Sequence, residues 1–289
     1  MSNPSDPVFD ASPVPPTGRT DPKLWDAVWE NPDNLEEWTY LSHIICETVA
    51  VTLRNQGVGP GLRIAEAGCG SGRITLKLGD MFHAIIHFLD FSSVSVNNLK
   101  NRVARREIPG HVIQGDLFAI PIRDGSLDVI WNAGVLEHFT GDIQRDALKE
   151  MIRVLKPGGL LITLNPFAGS LLHTLGKAFV EKLTRYPYGE EIPIDTLENQ
   201  VRILGFSLME KEYSIGFIAL FVGMYKRLMI LPGLSFFRFI YRVVDGTLCW
   251  MCRFSGVAKV LRRLDLLLSR LFGGYILVSV VRKDTPFSQ

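Results

Sequence analysis

The chain has 289 residues, of which 47% are hydrophobic and 21% are charged. This composition excludes a mainly disordered chain and allows one large domain or two smaller ones. The net charge of +1 argues against a polycation that coats nucleic acid. The charge is unevenly distributed, since residues 211–289 hold 12 basic and 4 acidic residues, net +8, and the rest of the chain is net −7. An acidic body is therefore followed by a basic, apolar segment.

The start of the chain is acidic and rich in proline. Residues 1–22 contain six of the 16 prolines and predict a disordered lead-in. No basic segment followed by an apolar one opens the chain, so we predict no secretory signal. Four cysteines are too few for a disulfide scaffold of this size, and we expect reduced thiols and a cytoplasmic protein.

A helix is predicted to follow the lead-in. Asp33 and Glu36 have the spacing of a capping box, and a helical apolar pattern continues to a stop at Gly57. Trp25, Trp29 and Tyr40 lie within or just before this segment.

From residue 62, short apolar runs alternate with amphipathic segments. The predicted strands occupy residues 63–67, 85–89, 111–114, 127–131 and 160–164. The predicted helices occupy residues 73–78, 94–106 and 143–155, and the last is expected to end at Lys-Pro-Gly-Gly, residues 156–159. This alternation predicts an α/β fold in which helices cover both faces of a parallel sheet.

The last part of the chain departs from this alternation. We predict an irregular connector over residues 166–190, a helix over 196–204, and strands near 206–213 and 275–282. Residues 216–272 fit no strand–helix alternation.

A glycine-rich loop follows the first predicted strand, with the sequence Glu-Ala-Gly-Cys-Gly-Ser-Gly at residues 66–72. Glycines let the backbone turn sharply and let a ligand approach it closely. Asp90 ends the second predicted strand and Asp116 ends the third, so carboxylates follow three successive strands at the edge where open α/β sheets bind ligands. The loop lacks a Gly-Lys-[Ser/Thr] ending, and Glu66 would repel pyrophosphate but suit a cationic ligand.

The loop, the acids at 90 and 116, Asn-Ala-Gly-Val-Leu-Glu-His-Phe at 132–139 and Leu-Lys-Pro-Gly-Gly at 155–159 together resemble class I S-adenosylmethionine-dependent methyltransferases. They are most similar to the subgroup that acts on small molecules and quinone-type lipids. The resemblance covers residues 60–165 and implies a doubly wound, mostly parallel, seven-stranded Rossmann-like sheet. It also implies S-adenosyl-L-methionine as the cofactor.

The same resemblance assigns cofactor contacts to individual residues. Glu66 serves the methionine end, Asp90 the ribose hydroxyls, and Asp116 the adenine amino group with Leu117 beside the ring. The remaining expected contacts are the loop residues and one residue after each of two strands: Gly68, Cys69, Gly70, Gly72, Phe91 and Asn132. Phe91 is equally well read as a core residue. The aromatic cluster of Trp25, Trp29 and Tyr40 is either a lid over the cofactor or ordinary core.

Methyl transfer from a sulfonium is an in-line displacement that needs alignment more than dedicated catalytic groups. His138 is the best candidate for a general base, and a structural role is the alternative. His173, Tyr186 and Tyr188 lie in the connector where the family usually builds its acceptor pocket. We predict no metal site, because Cys249 and Cys252 have no second pair at zinc spacing.

The segment of residues 216–272 is the most distinctive part of the sequence. Its longest uncharged run, residues 213–225, is too short to span a bilayer. Residues 236–254 and 257–272 read as amphipathic helices with wide apolar faces bordered by arginines. We predict a methyltransferase domain of residues 23–215 and 273–289 carrying an insertion of residues 216–272. The insertion either docks on a membrane or forms a cap or homodimer contact.

These observations predict a methyltransferase that is peripheral at the inner face of a membrane and acts on a lipid-soluble or lipid-linked small molecule. The alternatives are a soluble enzyme whose insertion is a dimerisation cap, and a binding module that does no catalysis. A nucleic-acid partner is not expected.

Overall fold

Seven strands form one sheet with helices on both faces. The computed structural model describes residues 22–31, 35, 37–57, 60–106, 108–183, 191–205, 207–228 and 236–284. The strands are β1 (Arg63–Ala67), β2 (Ile85–Asp90), β3 (Gly110–Gln114), β4 (Leu127–Ala133), β5 (Leu155–Pro166), β6 (Ser207–Ile215) and β7 (Ile276–Lys283). The helices are α1 (Pro22–Glu30), α2 (Tyr40–Asn55), α3 (Arg73–Phe82), α4 (Ser93–Arg106), α5 (Gly141–Arg153), α6 (Leu171–Leu183), α7 (Glu198–Leu204), α8 (Phe217–Leu228), α9 (Phe237–Met251) and α10 (Ser255–Phe272).

The strand order is β3-β2-β1-β4-β5-β7-β6. Strands β1 to β5 pair in parallel, and β7 is antiparallel to both β5 and β6. The strand order reverses between β1 and β4, which creates a crevice at the carboxyl ends of these two strands. The predicted doubly wound, mostly parallel, seven-stranded fold is confirmed.

The central strands are buried on both faces, which explains their nearly continuous apolar runs. Trp131 of β4 packs in the core layer that contains residues of α2 and α3. Its neighbour Ile130 points to the opposite layer, among residues of α5 and α7. The strands predicted from the sequence lie where expected, although β5 begins earlier, at Leu155.

The first long helix begins later than predicted. It is α2, which starts at Tyr40, and the Thr39 hydroxyl accepts the Ser42 N–H at 3.2 Å. Asp245 from the distant helix α9 also accepts the Tyr40 N–H at 3.0 Å. The capping box expected from Asp33 and Glu36 is therefore not the start of α2, and these two residues lie outside the described part of the chain.

One boundary is shifted and one further prediction is wrong. Helix α5 ends at Arg153, two residues before the predicted bound, and Lys-Pro-Gly-Gly at 156–159 forms the irregular start of β5. The connector predicted to be irregular contains the helix α6. Its Leu171 and Leu175 face solvent, so the apolar spacing there does not follow the pattern of a helix that packs on a core.

The insertion between β6 and β7 forms helices α8, α9 and α10. In the described part of the chain, no helix is both long enough and apolar enough to cross a membrane. Helix α10 packs on its own domain through Ala258, Leu261 and Leu266, which contact the core, and through two buried polar residues. Asp265, 1% exposed, accepts the N–H groups of Gly216 at 2.8 Å and Ile218 at 2.9 Å, and Ser269 accepts the Phe217 N–H at 3.2 Å.

With α10 attached in this way, one of its apolar sides faces solvent. The exposed apolar residues of α10 are Val257, Val260, Leu264, Leu267, Leu271 and Phe272. Helix α9 and its flanks likewise expose Phe236, Phe239, Val243, Trp250 and Phe254. We call this combined surface the apolar face of the insertion. Both acids of residues 236–272, Asp245 and Asp265, bond inward to the body of the protein.

The Asp265 carboxylate is expected to hold α10 in this orientation. In Asp265→Ala, the Gly216 and Ile218 N–H groups lose their acceptor, which should lower the free energy of unfolding by about 2–4 kcal/mol. Urea denaturation of this variant beside Asp284→Ala, which removes an exposed acid, provides the measurement. Equal stability of the two variants would show that Asp265 does not anchor the helix.

Candidate functional site

The glycine loop between β1 and α3 turns through three residues in the left-handed region. Gly68, Gly70 and Gly72 have φ values of 70°, 48° and 59°. A Cβ atom at residue 70 would collide with the Trp29 indole, and one at residue 72 would lie 2.8 Å from Leu99. Only glycine satisfies both the backbone angles and the close contacts at these positions.

Asp90 joins the end of β2 to this loop. Its Oδ2 accepts the Gly70 N–H at 2.6 Å, and its Oδ1 accepts the Ser92 N–H at 2.9 Å. Ser95 adds a second hydrogen bond to the loop, because its hydroxyl donates to the Gly70 carbonyl at 2.7 Å. Burial raises the pKa of Asp90 to about 6, while hydrogen bonds from Ser92 and Gly70 favour the charged form. The expected ribose ligand thus also fixes the loop that would hold the cofactor.

Glu66, at the end of β1, carries an unsatisfied buried oxygen. It is hydrogen-bonded to Thr75, whose hydroxyl also accepts the Trp131 indole N–H at 2.8 Å. Its Oε2 has no hydrogen-bond partner among the described residues. Burial raises the pKa of Glu66 to about 8. A buried oxygen of this kind fits a ligand that brings an N–H donor or a positive charge.

Helix α1 lies across the mouth of the crevice. Its Asp26 accepts the Ser92 hydroxyl at 2.6 Å, Trp29 covers Gly70, and the Trp25 ring meets His138 edge-on with centroids 5.1 Å apart. Tyr40, in contrast, is fully buried in the core. The aromatic cluster therefore divides, with two tryptophans at the site and the tyrosine in the core.

The expected adenine side of the site lies at the end of β3. Asp116 is buried, and its Oδ1 accepts the Phe118 N–H at 3.0 Å. Leu117 is half-buried beside it. Phe91 is half-buried and belongs to neither of the two core clusters of the described residues, which favours a surface position over a core one.

Asn132 lies at the carboxyl end of β4, and its Oδ1 has no hydrogen-bond partner among the described residues. Its side chain is fully buried on the opposite face of β4 from Trp131, and its amide nitrogen donates to the Met151 sulfur at 3.4 Å. Cys69 is a buried free thiol within the glycine loop. The structure therefore gathers the loop, Glu66, Asp90 and Asp116 at the carboxyl edge of the sheet, where Asn132 is also buried at the end of β4.

The predicted acceptor side contains His138, which is half-buried in a short 3-10 helix, Leu136–His138, after β4. His173 is buried against Tyr275, with ring centroids 4.8 Å apart. Tyr186 and Tyr188 lie outside the described residues.

Three polar residues near His138 were not predicted from the sequence as functional. Glu137 is buried and Glu191 half-buried, and with His138 they offer ligand atoms within 4.8 Å of one another. The Lys177 ammonium lies 4.0 Å from Glu191 Oε2. No sequence spacing connects residue 191 with residue 137, because their proximity depends on the path of the chain through α6.

The comparisons with known proteins agree with this geometry. Residues 64–159 match the family described as a methyltransferase domain. The ubiquinone/menaquinone biosynthesis C-methyltransferase UbiE of Vibrio campbellii is 32% identical over 134 residues, covering 44% of this chain and 50% of that protein. A probable S-adenosylmethionine-dependent methyltransferase of Mycolicibacterium smegmatis is 33% identical over 106 residues, covering 37% of this chain and 38% of that protein. The chain thus spans about half of the length of the first relative and 38% of the length of the second.

A solved structure with the same fold is a putative sarcosine dimethylglycine methyltransferase from Galdieria sulphuraria. It superposes with a TM-score of 0.57 at 18% identity, covering 83% of this chain and 85% of that one. At this identity the likeness establishes the fold.

The raised pKa of Glu66 predicts a pH dependence of stability. Its pKa is about 8 in the folded protein against an ordinary value of 4.5, so its contribution is fully present below pH 4.5 and is lost as the pH rises through 8. Glu66→Gln should therefore decline less in stability than wild type between pH 5 and 8.5, by on the order of a few kcal/mol. Urea denaturation without cofactor measures this, with the exposed Glu198→Gln as control. Parallel profiles for wild type and Glu66→Gln would contradict it.

Proposed function

We propose that this chain, whose residues 64–159 form an S-adenosylmethionine-dependent methyltransferase domain, methylates a lipid-soluble or lipid-linked small molecule while docked on an anionic membrane surface. The methyltransferase part rests on one observation above all. A glycine loop held by Asp90 and an unsatisfied Glu66 oxygen meet at the switch point of the sheet. The membrane part rests on the apolar face of the insertion.

The residues at the crevice fit S-adenosylmethionine. The orphaned Glu66 oxygen suits the ammonium group of the methionine end, and Gly68, Gly70 and Gly72 have no side chains of their own to block its approach. Asp90 has lone pairs left for the ribose hydroxyls beyond its two backbone bonds. Asp116, with Leu117 and Phe91 nearby, is proposed to bind the adenine.

When bound, S-adenosylmethionine supplies a methyl group on a cationic sulfur, open to in-line attack. The protein's contribution is alignment and exclusion of water. Trp25 and Trp29 of α1 are proposed to cover the reacting groups. His138, half-buried against Trp25 at the mouth of β4, is proposed to accept the proton of a hydroxyl or phenol acceptor.

The chemical class of the methyl acceptor is inferred from the apolar face of the insertion and from one relative. UbiE is named for ubiquinone and menaquinone biosynthesis, which supports a quinone-like, lipid-soluble acceptor here. The exposed residues of the apolar face include Phe239, 72% exposed, and Trp250, 55% exposed, which suit the interfacial region of a bilayer.

Charge on the insertion supports an anionic surface as the docking partner. The exposed charged side chains of residues 236–272 are all basic: Arg238, Arg242, Arg253, Lys259, Arg263 and Arg270. Each basic residue near an anionic bilayer contributes about 1 kcal/mol, screened by salt. The four cysteines are free, which supports the cytoplasmic side of the membrane.

A soluble homodimer is the second candidate. A second copy packed on the apolar face would bury the same leucines that a bilayer would. Repulsion between the arginines of two such faces disfavours this arrangement, whereas anionic lipid neutralises them.

Cofactor binding is predicted to depend on Asp90. Asp90→Ala removes the expected ribose contact and frees the Gly70 N–H, so the dissociation constants for S-adenosylmethionine and its demethylated product should rise by roughly 100-fold or more. Isothermal titration calorimetry measures this, with the exposed Asp142→Ala as control. Thermal melts test whether the variant is folded. A folded Asp90→Ala with wild-type affinity, or a wild type that binds neither compound, would overturn the cofactor assignment.

Membrane docking is predicted to depend on the exposed basic and apolar residues of α10. Arg263→Glu combined with Arg270→Glu should weaken binding to phosphatidylglycerol-containing vesicles by roughly 30-fold or more at low salt. Leu264→Ser combined with Leu267→Ser should weaken it at any salt concentration, since it removes buried apolar area.

Vesicle flotation provides the measurement, and Arg202→Glu and Ile203→Ser on α7 are matched exposed controls. Light scattering of the lipid-free protein measures its oligomeric state in parallel. A stable dimer that binds no vesicle of any composition would favour the dimerisation cap.

A further inference from the structure

Glu137, His138 and Glu191 form a compact set of metal-ligand groups at the carboxyl end of β4. Each offers one ligand atom, and these atoms lie within 4.8 Å of one another. The backbone holds the set together, because the Ile192 N–H donates to the Glu137 carbonyl at 2.8 Å. Residue 191 is therefore fixed beside the 3-10 helix.

The Glu137 carboxylate gives an independent indication of a ligand. Its side chain belongs to a residue that is only 2% exposed, and its Oε2 has no hydrogen-bond partner among the described residues. A buried carboxylate oxygen costs free energy unless a donor or a cation is bound to it.

Lys177 places a positive charge beside this set. Its ammonium group donates a hydrogen bond to the Glu191 backbone carbonyl and lies 4.0 Å from Glu191 Oε2. This lysine compensates part of the negative charge of Glu191 and competes with any cation that binds there.

We propose that Glu137, His138 and Glu191 bind a first-row divalent cation such as Mn²⁺ or Zn²⁺ beside the methyl-acceptor position. Two carboxylate oxygens and one imidazole nitrogen suit these ions, and three protein ligands leave coordination positions open for an acceptor or water. Ligand atoms bound tetrahedrally to one ion at about 2.1 Å lie ~3.4 Å apart. The ligand atoms of the three side chains lie within 4.8 Å of one another, so they need to move closer by up to about 1.4 Å.

This inference rests on the proposed methyltransferase function and deepens it. An acceptor hydroxyl bound to the cation loses its proton to water more readily, and the resulting oxygen anion attacks the methyl carbon as the carbon–sulfur bond breaks. His138 would then activate the acceptor as a metal ligand and not as a free base. The predicted absence of a metal site, made from cysteine spacing alone, would need revision.

The test is a titration of the full chain with MnCl₂ alone, followed by the loss of the free Mn²⁺ signal in electron paramagnetic resonance. We expect one saturable site, weakened tenfold or more in His138→Gln and in Glu191→Gln. Lys177→Met should bind several-fold more tightly because a competing charge is gone. Glu198→Gln and His111→Gln, at exposed positions outside the set, are the controls.

A second readout uses Trp25, whose ring contacts His138. Mn²⁺ should quench tryptophan fluorescence in wild type and much less in Trp25→Phe. The absence of saturable binding in wild type, unchanged binding in folded His138→Gln and Glu191→Gln, or weaker binding in Lys177→Met would overturn the metal site. Cofactor affinity, measured separately without metal, shows whether the proposed function itself stands.

Discussion

The contact between the Asp90 carboxylate and the Gly70 N–H, 2.6 Å long, is the interaction on which the site depends. It connects the end of β2 with the loop that leaves β1, so two neighbouring strand ends become one rigid surface. Ser92 and Ser95 complete the connection by binding the other Asp90 oxygen and the Gly70 carbonyl. A ligand that lies on this surface therefore meets a preorganised backbone and loses little free energy to loop ordering. Helix α1 is attached at the same point, because Asp26 binds the Ser92 hydroxyl.

The insertion combines buried polar groups with exposed apolar ones. Helix α10 buries Asp265 and Ser269, which satisfy backbone N–H groups at the start of α8. It also packs Ala258, Leu261 and Leu266 against the core. The helix is therefore attached by hydrogen bonds and apolar contacts, while Leu264, Leu267 and Leu271 stay exposed. An exposed apolar surface of this size does not stabilise an isolated domain in water. Such surfaces are typical of sites that contact a membrane or another protein.

The alternation of strands and helices, the glycine loop and the acids at 66, 90 and 116 could all be predicted from the sequence, because each depends on local periodicity or on a strand end. The Thr39 cap of α2 is a local signal that was overlooked, whereas the hydrogen bond from Tyr40 to Asp245, two hundred residues away, could not be predicted. Helix α6 was missed because Leu171 and Leu175 face solvent and give no core-facing stripe. The hydrogen bond from Asn132 to the Met151 sulfur also depends on tertiary packing that the sequence does not reveal. The outward orientation of α10 likewise needed the contacts of Asp265, which periodicity alone does not reveal.

The contacts of α9 attach the apolar face of the insertion to the start of α2. Asp245 binds the Tyr40 N–H, and the Cys249 thiol lies 3.7 Å from the Trp38 carbonyl. In the first turn of α2, the Ser42 hydroxyl accepts the Arg73 Nε–H at 3.3 Å, and Arg73 also donates to the Ser71 hydroxyl of the glycine loop at 2.9 Å. On the proposed function, the helix that meets the bilayer is therefore joined through α2 to the loop that would hold the cofactor.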